Sequence, residues 1–159
     1  MATTSAGLLL HRRMSSGEIE VLLVHPGGPF WAKKDLGAWS VPKGEYGADE
    51  DPWTVAQREF TEELGIDPPS GVPRPLGEVR QSGGKRVVAW AIEGDVDVTE
   101  IESNTFEMEW PPRSGRTTAF PEVDRAEWFP LEEAHRRINA AQGAFLSRLV
   151  EGEDGPTGP

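Results

Sequence analysis

The sequence predicts an α/β fold, an α/β/α sandwich in which helices cover both faces of a central mixed sheet. Three observations predict it. Short apolar segments bounded by turn residues come before and after a helix whose two ends are both marked. A second helical pattern closes the chain. One strand candidate, residues 86–92 (RVVAWAI), is apolar almost without interruption, as a strand covered on both faces must be.

Taken in order, residues 7–10 and 20–25 (EVLLVH) read as a hairpin joined through Ser15-Ser16-Gly17. A long connection follows, rich in Gly and Pro, with Lys33-Lys34 and a short strand expected at 38–42, stopped by Pro42. Asp51 is a good N-cap, Pro52 suits the first helical position, and Gly65 follows Leu64 as a left-handed terminator, so a helix is expected from Pro52 to Leu64. On it Trp53, Ala56, Phe60 and Leu64 share one sector, with Glu59, Glu62 and Glu63 on the neighbouring one. Further strands are expected at 77–81, 86–92, 105–110 and 125–129, a second helix from Leu131 to about Ile138, and a third helical segment over 141–150. Trp53, Trp90 and Trp128 are assigned to the core.

Composition bounds the function. A chain of 159 residues fits one domain, expected over 1–150, with an apolar-free acidic tail at 151–159 expected to be disordered. The absence of Cys excludes thiol nucleophiles, disulfides and Cys-based zinc sites. A net charge of −11 opposes nucleic acids and anionic membranes, so a phosphate-bearing substrate must meet local cations or a bound metal ion. The apolar run at 6–10 is too short for a signal-peptide core or a membrane span, which makes a cytoplasmic protein the expectation. A homodimer is left open.

The acidic pattern carries the chemistry. Glu59 lies three residues before Glu62 and four before Glu63, spacings that bring side chains together on a helix. Such like charges repel, and a hard divalent cation such as Mg²⁺ removes the repulsion. A solvated acidic face is the plain alternative. Residues 44–66 resemble the Nudix box, G-x5-E-x7-R-E-U-x-E-E-x-G-U with U apolar. Every specified position is matched, by Gly44, Glu50, Arg58, Glu59, Phe60, Glu62, Glu63, Gly65 and Ile66. A chance match in a chain of this length is on the order of 10⁻⁷ to 10⁻⁸.

The resemblance implies a loop-helix-loop within a Nudix fold. It implies a site for Mg²⁺ or Mn²⁺ at Glu59, Glu62 and Glu63 with the Gly44 carbonyl as a further ligand, and a Glu50–Arg58 ion pair bracing the loop. It also implies hydrolysis of a phosphoric anhydride by water attack on phosphorus. Glu59 is the first choice for the general base; Glu107 and Glu109, alternating onto one side of the 105–110 strand, are the choices from outside the box. Residues 39–44 (WSVPKG) are similar to the lead-in of Nudix members acting on dinucleoside polyphosphates, with Glu45 where those members often carry His.

Lys43, Lys33, Lys34, Arg113 and Arg116 are the cations available for substrate phosphates, and Phe30, Trp31 and Tyr46 the loop aromatics on which a base can stack. His11, His25 and His135 are scattered and are read as structural. The expected substrate is a small nucleoside diphosphate derivative, a nucleoside triphosphate or dinucleoside polyphosphate. The alternatives are ADP-ribose, an inositol pyrophosphate, or a Nudix-fold sensor that binds nucleotide without turnover.

Overall fold

A computed structural model describes residues 3–154, with side chains described through Glu151. Strand β1 (Thr4–Arg13) is buried on both faces from Ser5 to His11, and it organises the sheet. It runs parallel to β5 (Arg86–Glu93) and antiparallel to β2 (Ile19–Pro26). Beyond these, β4 (Arg74–Arg80) pairs with β5 and β8 (Val123–Pro130) with β2, all antiparallel, giving the order β4-β5-β1-β2-β8. One parallel pair in an otherwise antiparallel sheet is the mixed topology expected.

The edge of β1 that faces β2 has two partners. Its end, His11 to Arg13, pairs with Val21, Glu20 and Ile19, whereas its beginning, Ser5 to Gly7, pairs with Glu45, Gly44 and Lys43 of the short strand β3 (Lys43–Glu45). Between them the segment ahead of β3 inserts, with Pro42 O accepting from Leu8 N–H at 3.1 Å and Ser40 bridging to Val24. This splay opens a cleft beside β3.

Side chains alternate across the sheet with the period of two that strands impose. Leu9, Val21, Leu23 and Phe129 face helices α2 (Leu131–Arg137) and α3 (Gly143–Asp154), packing with Trp39, Ile138, Phe145, Leu146 and Leu149. Leu8, Leu10, Leu22 and Val24 face α1 (Pro52–Leu64) and meet its Val55, Ala56, Phe60 and Leu64. Burying Phe60 and Leu64 contributes roughly 1.5–3 kcal/mol each. That outweighs repulsion of a few tenths of a kcal/mol per pair among the glutamates alongside.

Helix α1 begins and ends where its caps place it. Asp51 accepts from Thr54 N–H at 3.0 Å, Pro52 opens the helix, and Gly65 closes it at φ 72. A side chain at Gly65 would sit 2.8 Å from Glu102 O, so no other residue fits.

Four expectations are corrected. The strand expected at 38–42 is displaced to Lys43–Glu45, because Trp39 and Ser40 make only isolated bridges to Ile138 and Val24. Strand β7 (Thr117–Pro121) was not expected; it pairs with β6 (Thr105–Glu109) in a separate two-stranded sheet. Trp53, Trp90 and Trp128 are partly buried flanks of the α1-side core, and the fully buried tryptophan is Trp39. Helix α3 runs to Asp154, into the segment expected as tail, whose remainder lies outside the described residues. Among the described residues no helix is long and apolar enough to cross a membrane.

Candidate active site

Glu59 and Glu63 project from one edge of α1 and meet Glu122, which immediately precedes β8; one carboxylate oxygen of each lies within 4.8 Å of the others. Backbone hydrogen bonds bring Glu122 there. The last carbonyls of a helix lack partners within it, and here Glu62 O accepts from Asn104 N–H at 2.8 Å while Leu64 O accepts from Glu102 N–H at 3.1 Å. Asn104 O in turn accepts from Glu122 N–H at 2.8 Å, and Ser103 Oγ accepts from Val123 N–H at 3.0 Å. Residues 102–104 therefore strap the end of α1 to the start of β8.

Gly44 admits Glu59 by what it lacks. A Cβ built there would stand 2.1 Å from Glu59 Cδ and 2.2 Å from Oε1, closer than any real contact.

Burial and mutual repulsion push these acids off their ordinary values. Glu63 is raised to about 8, chiefly by desolvation, with Glu59 and Glu122 adding to the effect and Lys43 opposing it. Glu59 is raised to about 7 by desolvation and then by the charges of Glu62 and Glu122, against Arg58. Glu122 is raised by burial and by Glu62. Three partly buried carboxylates that strain to hold their charge are a donor set that a hard cation fits, since oxygen ligands of this kind suit Mg²⁺ and Mn²⁺. Mg²⁺ accepts one or two carboxylates and completes its shell with water and phosphate.

The cluster borders a cleft of about 320 Å³. Glu63, Glu122 and Lys43 line it together with Lys85, Gln81, Asn139 and Gln142. Gln81 N–H donates to Lys85 O at 2.7 Å across the turn between β4 and β5, which presents both residues to the opening. Gln142, itself buried, accepts from Val41 N–H at 3.0 Å and donates to Ser40 Oγ at 3.0 Å and to Gln81 Oε1 at 2.8 Å. The floor is thereby fixed by satisfied polar groups.

A family model, the NUDIX domain, matches residues 1–149. The chain belongs to the Nudix family. Among solved structures it is similar to a C. elegans Ap4A hydrolase binary complex, with TM-score 0.68 and 23% identity over 98% of this chain and 100% of that one. It is also similar to the NUDIX domain of Shewanella oneidensis NrtR complexed with ADP ribose, with TM-score 0.65 and 17% identity over 96% and 89% of the two chains. A MutT protein from Methanosarcina mazei Go1 gives TM-score 0.60 and 21% identity over 96% of each chain. No curated protein matches significantly. These likenesses show the fold, and the family match makes this a Nudix hydrolase, acting on pyrophosphate bonds.

The Nudix box residues divide by placement. Glu59 and Glu63 enter the cluster; Glu62 adjoins it, its charge acting on Glu59, and lies 3.8 Å from Arg58 Nε. Arg58 reaches Glu50 at 3.3 Å, and Glu50 also accepts from Gly47 N–H at 3.0 Å, a bond that with Arg58 holds its carboxyl below the usual range. The loop is thus pinned to the helix, as the resemblance implied.

Outside the Nudix box the structure selects among the candidates. Glu107 and Glu109 are exposed, and Glu109 closes the β6–β7 turn by accepting from Arg113 N–H at 3.3 Å and Gly115 N–H at 3.0 Å. The acid from outside the box that reaches the cluster is Glu122, which the sequence reading missed. Of the five expected cations only Lys43 lines the cleft. Lys33 is exposed, Lys34 Nζ lies 5.0 Å above the Trp31 ring, and Arg113 and Arg116 occupy the exposed β6–β7 turn. Lys85, outside those five, also lines the cleft. Among the loop aromatics, Trp31 lines the cleft, Phe30 sits on Trp110, and Tyr46 packs against the α1-side core. His25 is fully buried between Asp124 and Lys34 O, at 2.8 and 2.6 Å, and anchors the loop that carries Trp31.

Proposed function

We propose that this Nudix hydrolase cleaves a nucleoside diphosphate linked to a further phosphate-bearing group, a dinucleoside polyphosphate or a nucleoside triphosphate, with Mg²⁺ or Mn²⁺. Glu59, Glu63 and Glu122 would hold the ion, with Glu62 and the Gly44 carbonyl beside them. When bound, the ion supplies charge neutralisation for the diphosphate and makes water easier to deprotonate.

The chain's own residues do the rest. Lys43 and Lys85 offset phosphate charge in a protein whose overall field repels it. Gln81 and Asn139 offer hydrogen bonds along the cleft wall. Glu59, partly buried at the cluster, is the residue proposed to take the proton, through the carboxylate oxygen not turned to the ion, as water oxygen attacks phosphorus and the bridging P–O bond breaks toward the leaving phosphate. The observation that carries this reading is the convergence of the carboxylate cluster and two lysines on one cleft.

Purified protein with Mg²⁺ should be screened against nucleoside triphosphates, diadenosine polyphosphates, ADP-ribose, nucleotide sugars and an inositol pyrophosphate, scoring released products. Fastest turnover on a dinucleoside polyphosphate or nucleoside triphosphate is the expected result. Selective cleavage of ADP-ribose or of the inositol pyrophosphate would overturn the substrate class. Tight nucleotide binding without turnover would make the protein a sensor.

A further inference from the structure

A second cavity, about 470 Å³, adjoins the cleft and shares Pro26, Trp31 and Glu122 with it. Its walls are otherwise unlike. Gly27, Gly28, Pro29 and Phe30 form one side, Phe106 and Met108 of β6 the other, and Glu122 is its sole charged side chain. Its volume falls within the roughly 300–1,000 Å³ of small-molecule sites.

Two features make it a built slot. Gly27 N–H donates to Glu122 O at 2.9 Å, Gly28 lies against the Phe106 ring, and Phe30 meets Trp110 edge-on at 5.8 Å, so the loop and the β6–β7 hairpin are held as opposed jaws. Phe30 and Trp31 nevertheless remain 61% and 40% exposed. Adjacent exposed aromatics beside a cavity mark a binding surface rather than a core. Because Glu122 belongs to both cavities, a phosphate chain at the carboxylate cluster has a polar, cationic space on one side and an aromatic one on the other.

We infer that the Phe30–Trp31–Phe106–Met108 slot is a second subsite, stacking the nucleobase at the far end of the substrate's phosphate chain, so that cleft and slot together hold both ends of a dinucleoside polyphosphate. This rests on the activity proposed above. Stacking on aromatic side chains is worth about 1–3 kcal/mol per base. That is on the order of tenfold or more in the kcat/KM ratio of diadenosine tetraphosphate to adenosine tetraphosphate, which carry the same phosphate chain with two bases or one.

Phe106→Ala and Phe30→Ala should each lower that ratio by on the order of tenfold. Phe30 is exposed, so its variant keeps the fold should the β6 variant lose it. An unchanged ratio in the folded variants would overturn the inference. A second readout needs neither turnover nor metal. With methyl-labelled methionine, of which the chain has three, adenosine alone should shift the Met108 methyl resonance saturably and leave Met14 in place. A motionless Met108 would overturn the subsite. If the wild type cleaves neither nucleotide while Met108 still shifts, the proposed activity fails and the slot stands.

Discussion

Replacing Glu63 by Gln lowers kcat on the best substrate by on the order of 10²–10⁴-fold while leaving the fold intact. The substitution keeps the shape of the side chain and removes its charge. Glu63 sits against Lys43, Glu59 and Glu122 in a place that disfavours its charge strongly enough to raise it to about 8. A neutral amide suits that place without a cation, so the metal-free variant should melt no lower than the wild type at pH 8. The two effects part company because what burdens the empty protein is what the cation requires. Steady-state kinetics beside thermal melts check this; activity within a few fold of wild type would remove Glu63 from the chemistry.

Gly44→Ala should cost turnover about as heavily, by at least on the order of 10²-fold, since displacements near 1 Å in a reacting constellation have effects of that size. Gly44 is paired with Ala6 in the splayed edge of β1, so the backbone cannot retreat readily from the new methyl group. The clash falls on Glu59 Cδ at 2.1 Å, and the yielding part is the Glu59 side chain. It must swing away from Glu63 and Glu122. Parallel measurement of kcat and of Mg²⁺ affinity should show both impaired in a protein that melts normally. A fully active variant would mean that Glu59 does not work from the position described.

Both predictions concern residues that local sequence pattern identifies. Helix α1 was legible to the residue because Asp51, Pro52 and Gly65 each satisfy a local requirement that no distant contact overrides. Helix geometry brings Glu59, Glu62 and Glu63 together on one face, and the resemblance to the Nudix box is what marks that face as a metal site and pairs Glu50 with Arg58. Glu122 was not legible. It sits between Pro121 and Val123 with nothing in its neighbourhood to distinguish it, and it reaches the cluster through Asn104 and the end of α1, a contact between segments far apart in the chain.

The cations show the same limit. Lys33, Lys34 and Lys85 all lie in Gly-rich connections, and which of them faces the cleft depends on how each loop is tied to the sheet. His25 and Asp35 bind the first loop down, with His25 bonded to Lys34 O and Asp35 holding Trp39 Nε1 at 2.8 Å and Arg137 at 2.7 Å, while the tight β4–β5 turn sets Lys85 at the rim of the cleft. Strand β7 (TTAFP) escaped notice because it is short, barely alternates in polarity and ends on proline, and because it pairs only with β6, outside the main sheet. Trp39, expected in a short strand, lies in the connection ahead of β3 with only an isolated bridge, yet it is fully buried, since the splay at β3 carries that connection over the sheet.

On the proposed reading, Glu59, Glu63 and Glu122 converge because a divalent cation belongs among them. Without metal, carboxyls raised above their unfolded values bind protons more tightly in the native state. The stability they contribute is fully present below about pH 4.5 and is lost as pH rises through about 7 and 8. A cation restores what the ionised cluster loses, and below pH 7 it must compete with protons. Thermal melts with and without millimolar Mg²⁺ or Mn²⁺ at pH 6 and pH 8.5 measure this directly. The expected outcome is a metal-induced rise in Tm that is small at pH 6 and distinctly larger at pH 8.5; no rise at either pH, or an equal rise at both, would rule out a cation held by these carboxylates.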